Sequence, residues 1–147
     1  MPSAGETLRA LADTVVPGPP DDPSPGAAAI EAEHFLVHYL EFVEPGLTER
    51  VCALLDRLAS DRRIDVGFAS LARGDRESIL REMAEHDLQE RRDIASLLTA
   101  LSIAAVYGEW SGQDAEGNVV RRPLGWELSG WTGPRPGVRS LMRPVSD

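Results

Sequence analysis

The sequence predicts an all-α fold: about five helices in a small bundle, followed by a long irregular segment rich in Gly, Pro and Trp. Three observations carry this. Apolar residues recur at helical spacing through most of the first 107 residues. Helix-start residues precede those stripes, and Pro or Gly closes them. After Tyr107 the periodicity stops.

Ser3-Ala4-Gly5-Glu6 has capping-box form, a hydroxyl followed three residues later by a carboxylate. Leu8, Leu11, Ala12 and Val15 then share one face of a first helix, which Pro17-Gly18-Pro19-Pro20 stops. Ser24-Pro25 pairs a cap residue with proline at the first helical position. The second helix runs from there to about Val43. Its stripe of Ile30, Phe35, Leu36, Tyr39, Leu40 and Phe42 is broad, which predicts a central helix. Pro45-Gly46 ends it.

Thr48 is the expected cap of a third helix, with Val51, Leu54, Leu55 and Leu58 inward and Arg50, Asp56 and Arg57 outward. Phe68 and Leu71 form a short apolar turn. A fourth helix follows, with Ile79, Leu80 and Met83 on its buried face. Its mixed charges between Arg73 and Arg81 read as a solvated face. Asp87-Leu88-Gln89-Glu90 repeats the capping-box spacing before the strongest helix, whose stripe is Ile94, Leu97, Leu98, Leu101 and Ala105. It runs to Tyr107, with Gly108 placed as its C′ residue. Beyond it, Val119-Val120 could form a brief strand at a turn made by Glu116-Gly117-Asn118.

Length gives a single domain of residues 1–147, with a helical body over 1–107 and an irregular segment over 108–147. A chain this long buries roughly 68–70% of its extended surface, enough for a core without staples. Cys52 is the sole cysteine, so no internal disulfide forms, and it reads as a small buried hydrophobe. The net charge of −9 argues against a nucleic-acid binder. All 15 basic residues are arginine. No run reaches ~18 apolar residues, so no membrane span is expected. The first residues lack the basic and long apolar regions of a secretory signal, and the chain as given reads as cytoplasmic.

The most catalytic-looking pattern is Glu31-x-x-His34-x-x-x-His38-x-x-Glu41, because positions three and four apart share a helix face. Carboxylate-bridged di-iron bundles need Glu-x-x-His twice, on separate helices. Glu82, Glu85 and His86 do not make a second copy. The zinc helix H-E-x-x-H needs glutamate after its first histidine, where this chain has Phe35. A helix edge with solvated or core-rim histidines is the simpler reading. No dinucleotide fingerprint, P-loop or nucleophile elbow is present. The sequence therefore offers no catalytic residue, no cofactor-binding residue and no metal ligand.

The last segment holds Tyr107, Trp110, Arg121, Arg122, Trp126, Trp131, Arg135 and Arg139 among glycines and prolines. Trp, Tyr and Arg dominate interface hot spots, and Gly/Pro-rich chain can drape over a partner. A partner-binding surface is one reading; tryptophans folded back over the helical core is the other. Trp110, nearest the helix end, is the one expected to be partly core.

"TLRALADTVVPG", "SPGAAAIEAEHFLVHYL", "FASLARGDRESIL", a helix ending "VYGEW" and a closing "PLGWELSGWTGPRPG" together resemble the gluconate 2-dehydrogenase subunit 3 family. The resemblance spans roughly Leu8 to Gly137, and the order of its short motifs is more specific than any one of them. It implies a small non-catalytic subunit without a cofactor of its own. The implied partner is a large FAD-dependent sugar or polyol dehydrogenase of the glucose-methanol-choline type, in some cases with a cytochrome c subunit. The small subunit's implied task is folding, cofactor loading or export of the large one. Many relatives begin with a twin-arginine leader, which this sequence lacks, so a cytoplasmic hetero-oligomer is expected. The competing readings are a stand-alone metal-dependent enzyme using His34 and His38, and a self-associating protein that swaps its tail.

Overall fold

In a computed structural model, residues 2–21, 25–114 and 116–131 are described. Among them are six α-helices and no strand beyond an isolated bridge. The helices are α1 (Ala4–Val15), α2 (Ala32–Val43), α3 (Leu47–Arg62), α4 (Arg73–Ala84), α5 (Gln89–Tyr107) and a short α6 (Leu124–Ser129). The all-α expectation holds.

α1 begins as its sequence dictates. The Ser3 hydroxyl accepts from Glu6 N–H at 3.3 Å, and Glu6 accepts from Ser3 N–H at 2.7 Å. Leu8 and Leu11 are wholly buried. α1 touches α2, α3, α4 and α5, so it is the hub of the bundle, a place the sequence pattern assigned to the second helix. Beyond it, Gly18 and Gly26 both take positive φ. The two backbones pass so close that a Cβ on Gly18 would lie 2.8 Å from the Pro25 carbonyl, and one on Gly26 equally near that of Pro17. Neither position tolerates a side chain.

The second helix is shorter than its pattern suggests. Residues 28–30 form a 3₁₀ turn, Glu31 turns left-handed at φ 53°, and α2 starts only at Ala32. The cause is tertiary. Ala27 N–H donates to the Val16 carbonyl at the end of α1, and the Ala27 carbonyl accepts from Ala32. The chain must swing round at Glu31 to bring Ala32, Leu36 and Leu40 onto α1. Tyr39, Phe42 and Val43 stay exposed, so the broad stripe does not mean a central helix.

Gly46, at φ 80°, occupies the cap of α3 in place of Thr48, which lies buried in the first turn. The capping carboxylate comes from α2: Glu41 accepts from Gly46 N–H at 2.9 Å and Thr48 N–H at 3.2 Å. Anionic oxygen at a helix N-terminus is favoured by the orphan N–H groups and the macrodipole. On α3, Val51, Cys52, Leu55 and Ala59 face the core, while Leu54 and Leu58 are half-buried. Asp56 is buried rather than outward, because its Oδ1 accepts from Phe68 N–H at 2.8 Å. That bond seats the 3₁₀ turn Phe68–Ser70, whose Phe68 ring is wholly buried.

Two arginines of the mixed-charge face of α4, Arg73 and Arg76, also tie elements together, while Arg81 stays exposed. Arg73 meets Asp21 and Glu77, both at 2.8 Å, and Arg76 meets Asp13 on α1 at 3.3 Å. Arg62, the last residue of α3, and Arg63, just after it, pair with Glu82 and Asp75. α5 has Leu88 at its N-cap and no side-chain cap, so the Asp87 capping box does not form. The Leu88 N–H donates instead to His86 Nδ1 at 3.0 Å. Gly108 ends α5 in extended backbone, not as a left-handed C′ residue; a Cβ there would lie 2.5 Å from the Ala104 carbonyl.

Candidate partner-binding surface

The described residues after α5, 108–114 and 116–131, hold more regular structure than their composition suggests. Residues 109–112 form a 3₁₀ turn. Asp114 then organises a tight turn: its Oδ1 accepts from Asn118 N–H at 2.8 Å and Glu116 N–H at 3.1 Å. The Asn118 side chain first, then its backbone, holds the Asp114 carboxyl below its ordinary pKa. Gly117 supplies positive φ, and Val119 bridges back to Gln113, which is all that forms of the expected strand. Ser111 fastens the return. Its hydroxyl donates to Gly108 and accepts from Leu124 N–H, each at 2.8 Å, while Arg121 Nε donates to its carbonyl at 2.5 Å. Leu124 is thereby buried in the core, and α6 lies against the end of α5.

This folding brings four of the expected interface residues, Trp110, Arg121, Arg122 and Trp126, onto two adjoining clefts. Arg9, Glu31, His34, Trp110, Asp114 and Arg121 are among the walls of one, of about 440 Å³. Arg121, Arg122, Pro123 and Trp126 help line the other, of about 480 Å³. Arg121, Gln113 and Val120 are common to both. Trp126 and Trp131 meet edge to face at 4.4 Å, a favoured aromatic geometry, and Arg122 donates to the Trp131 carbonyl. Trp131 remains 47% exposed. Tyr107 is partly exposed at the end of α5. Arg135 and Arg139 lie outside the described residues.

Trp110 behaves differently. It is half-buried, its ring 5.3 Å from Phe35 and stacked at 6.0 Å on His38. Sequence reasoning missed what extends from it. Phe35, Tyr39 and Phe42 form a ladder along α2, with centroids 5.8 Å and 6.3 Å apart, and Phe42 is 81% exposed. The signal was present in a helix apolar on more than one side.

The Glu31, His34, His38 and Glu41 pattern does not converge. His38 stacks on Trp110 and Glu41 caps α3, while Glu31, at its left-handed turn, and His34 both line the first cleft. Among the described residues, no three His, Cys, Asp or Glu side chains are grouped to hold a metal. Cys52 is buried against the Ala4 carbonyl, and burial, with the nearby Asp56 charge, pushes its thiol up to about 11. No described helix is long and apolar enough to cross a membrane.

A family model for gluconate 2-dehydrogenase subunit 3 matches residues 2–133. The chain belongs to that family. The match contains the whole helical body, the turn at Asp114, and Trp110, Arg121, Arg122, Trp126 and Trp131. The gluconate 2-dehydrogenase subunit 3 name is that of one subunit of a larger enzyme, the coarse role the sequence resemblance implies. No curated protein and no solved structure matches the chain.

Proposed function

We propose that this gluconate 2-dehydrogenase subunit 3 protein is a non-catalytic subunit. It binds and stabilises a large FAD-dependent oxidoreductase of the glucose-methanol-choline type acting on a sugar or polyol, assisting its folding and cofactor loading. The observation that carries this reading is the family match over residues 2–133. The clefted Trp/Arg strip supports it, since paired indoles with adjacent guanidinium groups are the side chains that anchor protein interfaces. Trp126 and Trp131 are proposed as the anchors, with Arg121 and Arg122 flanking them. FAD belongs to the partner in this reading.

The test is co-expression of the tagged chain with the flavoprotein encoded in the same genome. The pair is expected to co-purify with a flavin spectrum, while the chain purified alone is colourless and reduces no dye. The Trp126→Ala/Trp131→Ala variant is expected to lose the partner. A double variant that still retrieves a fully active flavoprotein overturns the docking assignment. Flavin retained by the isolated chain through gel filtration overturns the accessory role.

A further inference from the structure

Trp126 lines the second cleft and not the first, so the docking strip leaves the first, of about 440 Å³, without a use. That volume falls within the roughly 300–1,000 Å³ of small-molecule sites. Separate stretches of chain build it. Arg9 comes from α1, Glu31 and His34 from the start of α2, Trp110 from the turn after α5, and Arg121 from the returning chain.

The walls are held before anything binds. The Arg121 N–H donates to the Gly112 carbonyl at 3.1 Å, and its Nε donates to the Ser111 carbonyl at 2.5 Å. Gly112 permits this approach, since a Cβ there would lie 2.6 Å from the Arg121 carbonyl. The Trp110 ring is packed on Phe35 and stacked on His38. Side chains already fixed lose little entropy on binding.

The charges select the ligand. Arg9 already meets Glu33 at 3.4 Å and the Ala28 carbonyl at 3.3 Å. Asp114 commits both its oxygens to its own turn. Two charged groups of the cleft remain, the terminal nitrogens of Arg121 and the Glu31 carboxylate. They form no ion pair, with each other or elsewhere, among the described residues. A bare anion would be drawn by one and repelled by the other, and a bare cation the reverse. A ligand with one carboxylate and one ammonium answers both. Charge-assisted hydrogen bonds are roughly twice as strong as neutral ones, so an uncharged hydroxylated ligand answers them less well. Trp110, Ile30 and Val120 add apolar wall beside these groups.

We propose that this cleft binds a free α-amino acid with an apolar side chain. The carboxylate lies on the Arg121 fork, the ammonium on Glu31, and the side chain against Trp110. The site belongs to this chain alone and does not rest on the accessory-subunit reading.

The probes are L-phenylalanine and L-leucine, measured by equilibrium dialysis against the purified full chain. Phenylpropanoate, which lacks the ammonium, phenethylamine, which lacks the carboxylate, and sorbitol are the comparisons. L-Phenylalanine is expected to bind, and each single-charge analogue to bind at least roughly tenfold more weakly. Glu31→Gln should lose most of the preference over phenylpropanoate, and Arg121→Gln most of the preference over phenethylamine. Arg81→Gln, at an exposed residue off the cleft, should bind as the parent does. Melting temperatures separate a lost ligand from a lost fold. Glu31 makes no side-chain hydrogen bond among the described residues, so its variant decides the matter even if Arg121→Gln unfolds the returning chain. Binding of neither amino acid overturns the site. Equal binding of phenylpropanoate, tighter binding of sorbitol, or an unchanged preference in Glu31→Gln overturns the ligand class.

Discussion

Phe68 shows how much one side chain can fix. Its ring is fully buried while its N–H is held by the buried Asp56 carboxylate, so a single residue joins α3 to the start of α4. Phe68→Ala should cost about 3–5 kcal/mol by leaving a cavity, read as a lower denaturant midpoint with an unchanged slope. Asp56→Asn should cost less, because the amide oxygen can still accept. Cys52 gives a second check. With its thiol pushed up to about 11, roughly one sulfur in a thousand is ionised at pH 8. A disulfide reagent should therefore modify it slowly in the folded chain and rapidly after denaturation. Fast modification of the native chain would show that α3 opens locally. Cys52 was legible in sequence because a lone cysteine inside an amphipathic stretch is most often a small buried hydrophobe. Asp56 was not, because nothing local announces that a carboxylate will receive an N–H from twelve residues away.

At the scale of elements, the caps divide the same way. Ser3 and Glu6 cap α1 by a local rule, and the local rule was enough. The Thr48 and Asp87 rules failed because Glu41 reaches across from α2, and because the chain turns into α5 at Leu88. The two capping carboxylates have one electrostatic consequence. Ser3, mainly through its backbone N–H, holds Glu6 below its ordinary pKa of 4.5, and hydrogen bonding from Thr48 and then Gly46 does the same for Glu41. A carboxyl whose pKa is depressed by folding contributes stability above its unfolded pKa and loses it as pH falls through the folded value. Glu6→Ala and Glu41→Ala should each lower the melting temperature at pH 7. The difference from the parent should shrink once the pH drops below about 4.5 and continue to close with further acid. A deficit that stays constant into strong acid would mean that the charged caps are not its source. The break at Glu31 lies on the same scale: Ser24-Pro25 and the apolar stripe argued for one long helix, and a tertiary hydrogen bond to Val16 overruled them.

Across the whole molecule, the question is where the body ends. Loss of periodicity after Tyr107 separated a helical body from an irregular tail, because Gly and Pro remove the pattern that marks a helix in sequence. The covalent boundary is not the packing boundary. Ser111 binds Leu124 N–H, Leu124 fills the core, and Gly125 sits so close to the Tyr107 carbonyl that no Cβ fits between them. Residues 109–114 and 116–125 thus pack with the body, while Trp126, half-buried at the second cleft, and the exposed Trp131 pack on each other at its edge. Truncation after Gly117 would remove both kinds of residue at once. It should cost roughly 2 kcal/mol for the lost Leu124 burial, or a fall of about 4–8 °C in melting temperature for a chain of this size. Leu124→Ala should reproduce most of that fall and leave the indole pair in place. Trp126→Ala/Trp131→Ala should do the reverse, melting near the parent temperature and failing in complex formation. If the truncated chain melts with the parent, Leu124 is not core and α6 is not docked. If the indole variant melts as low as the truncation, the tryptophans hold the body together, and the strip they form is structural rather than a surface for a partner.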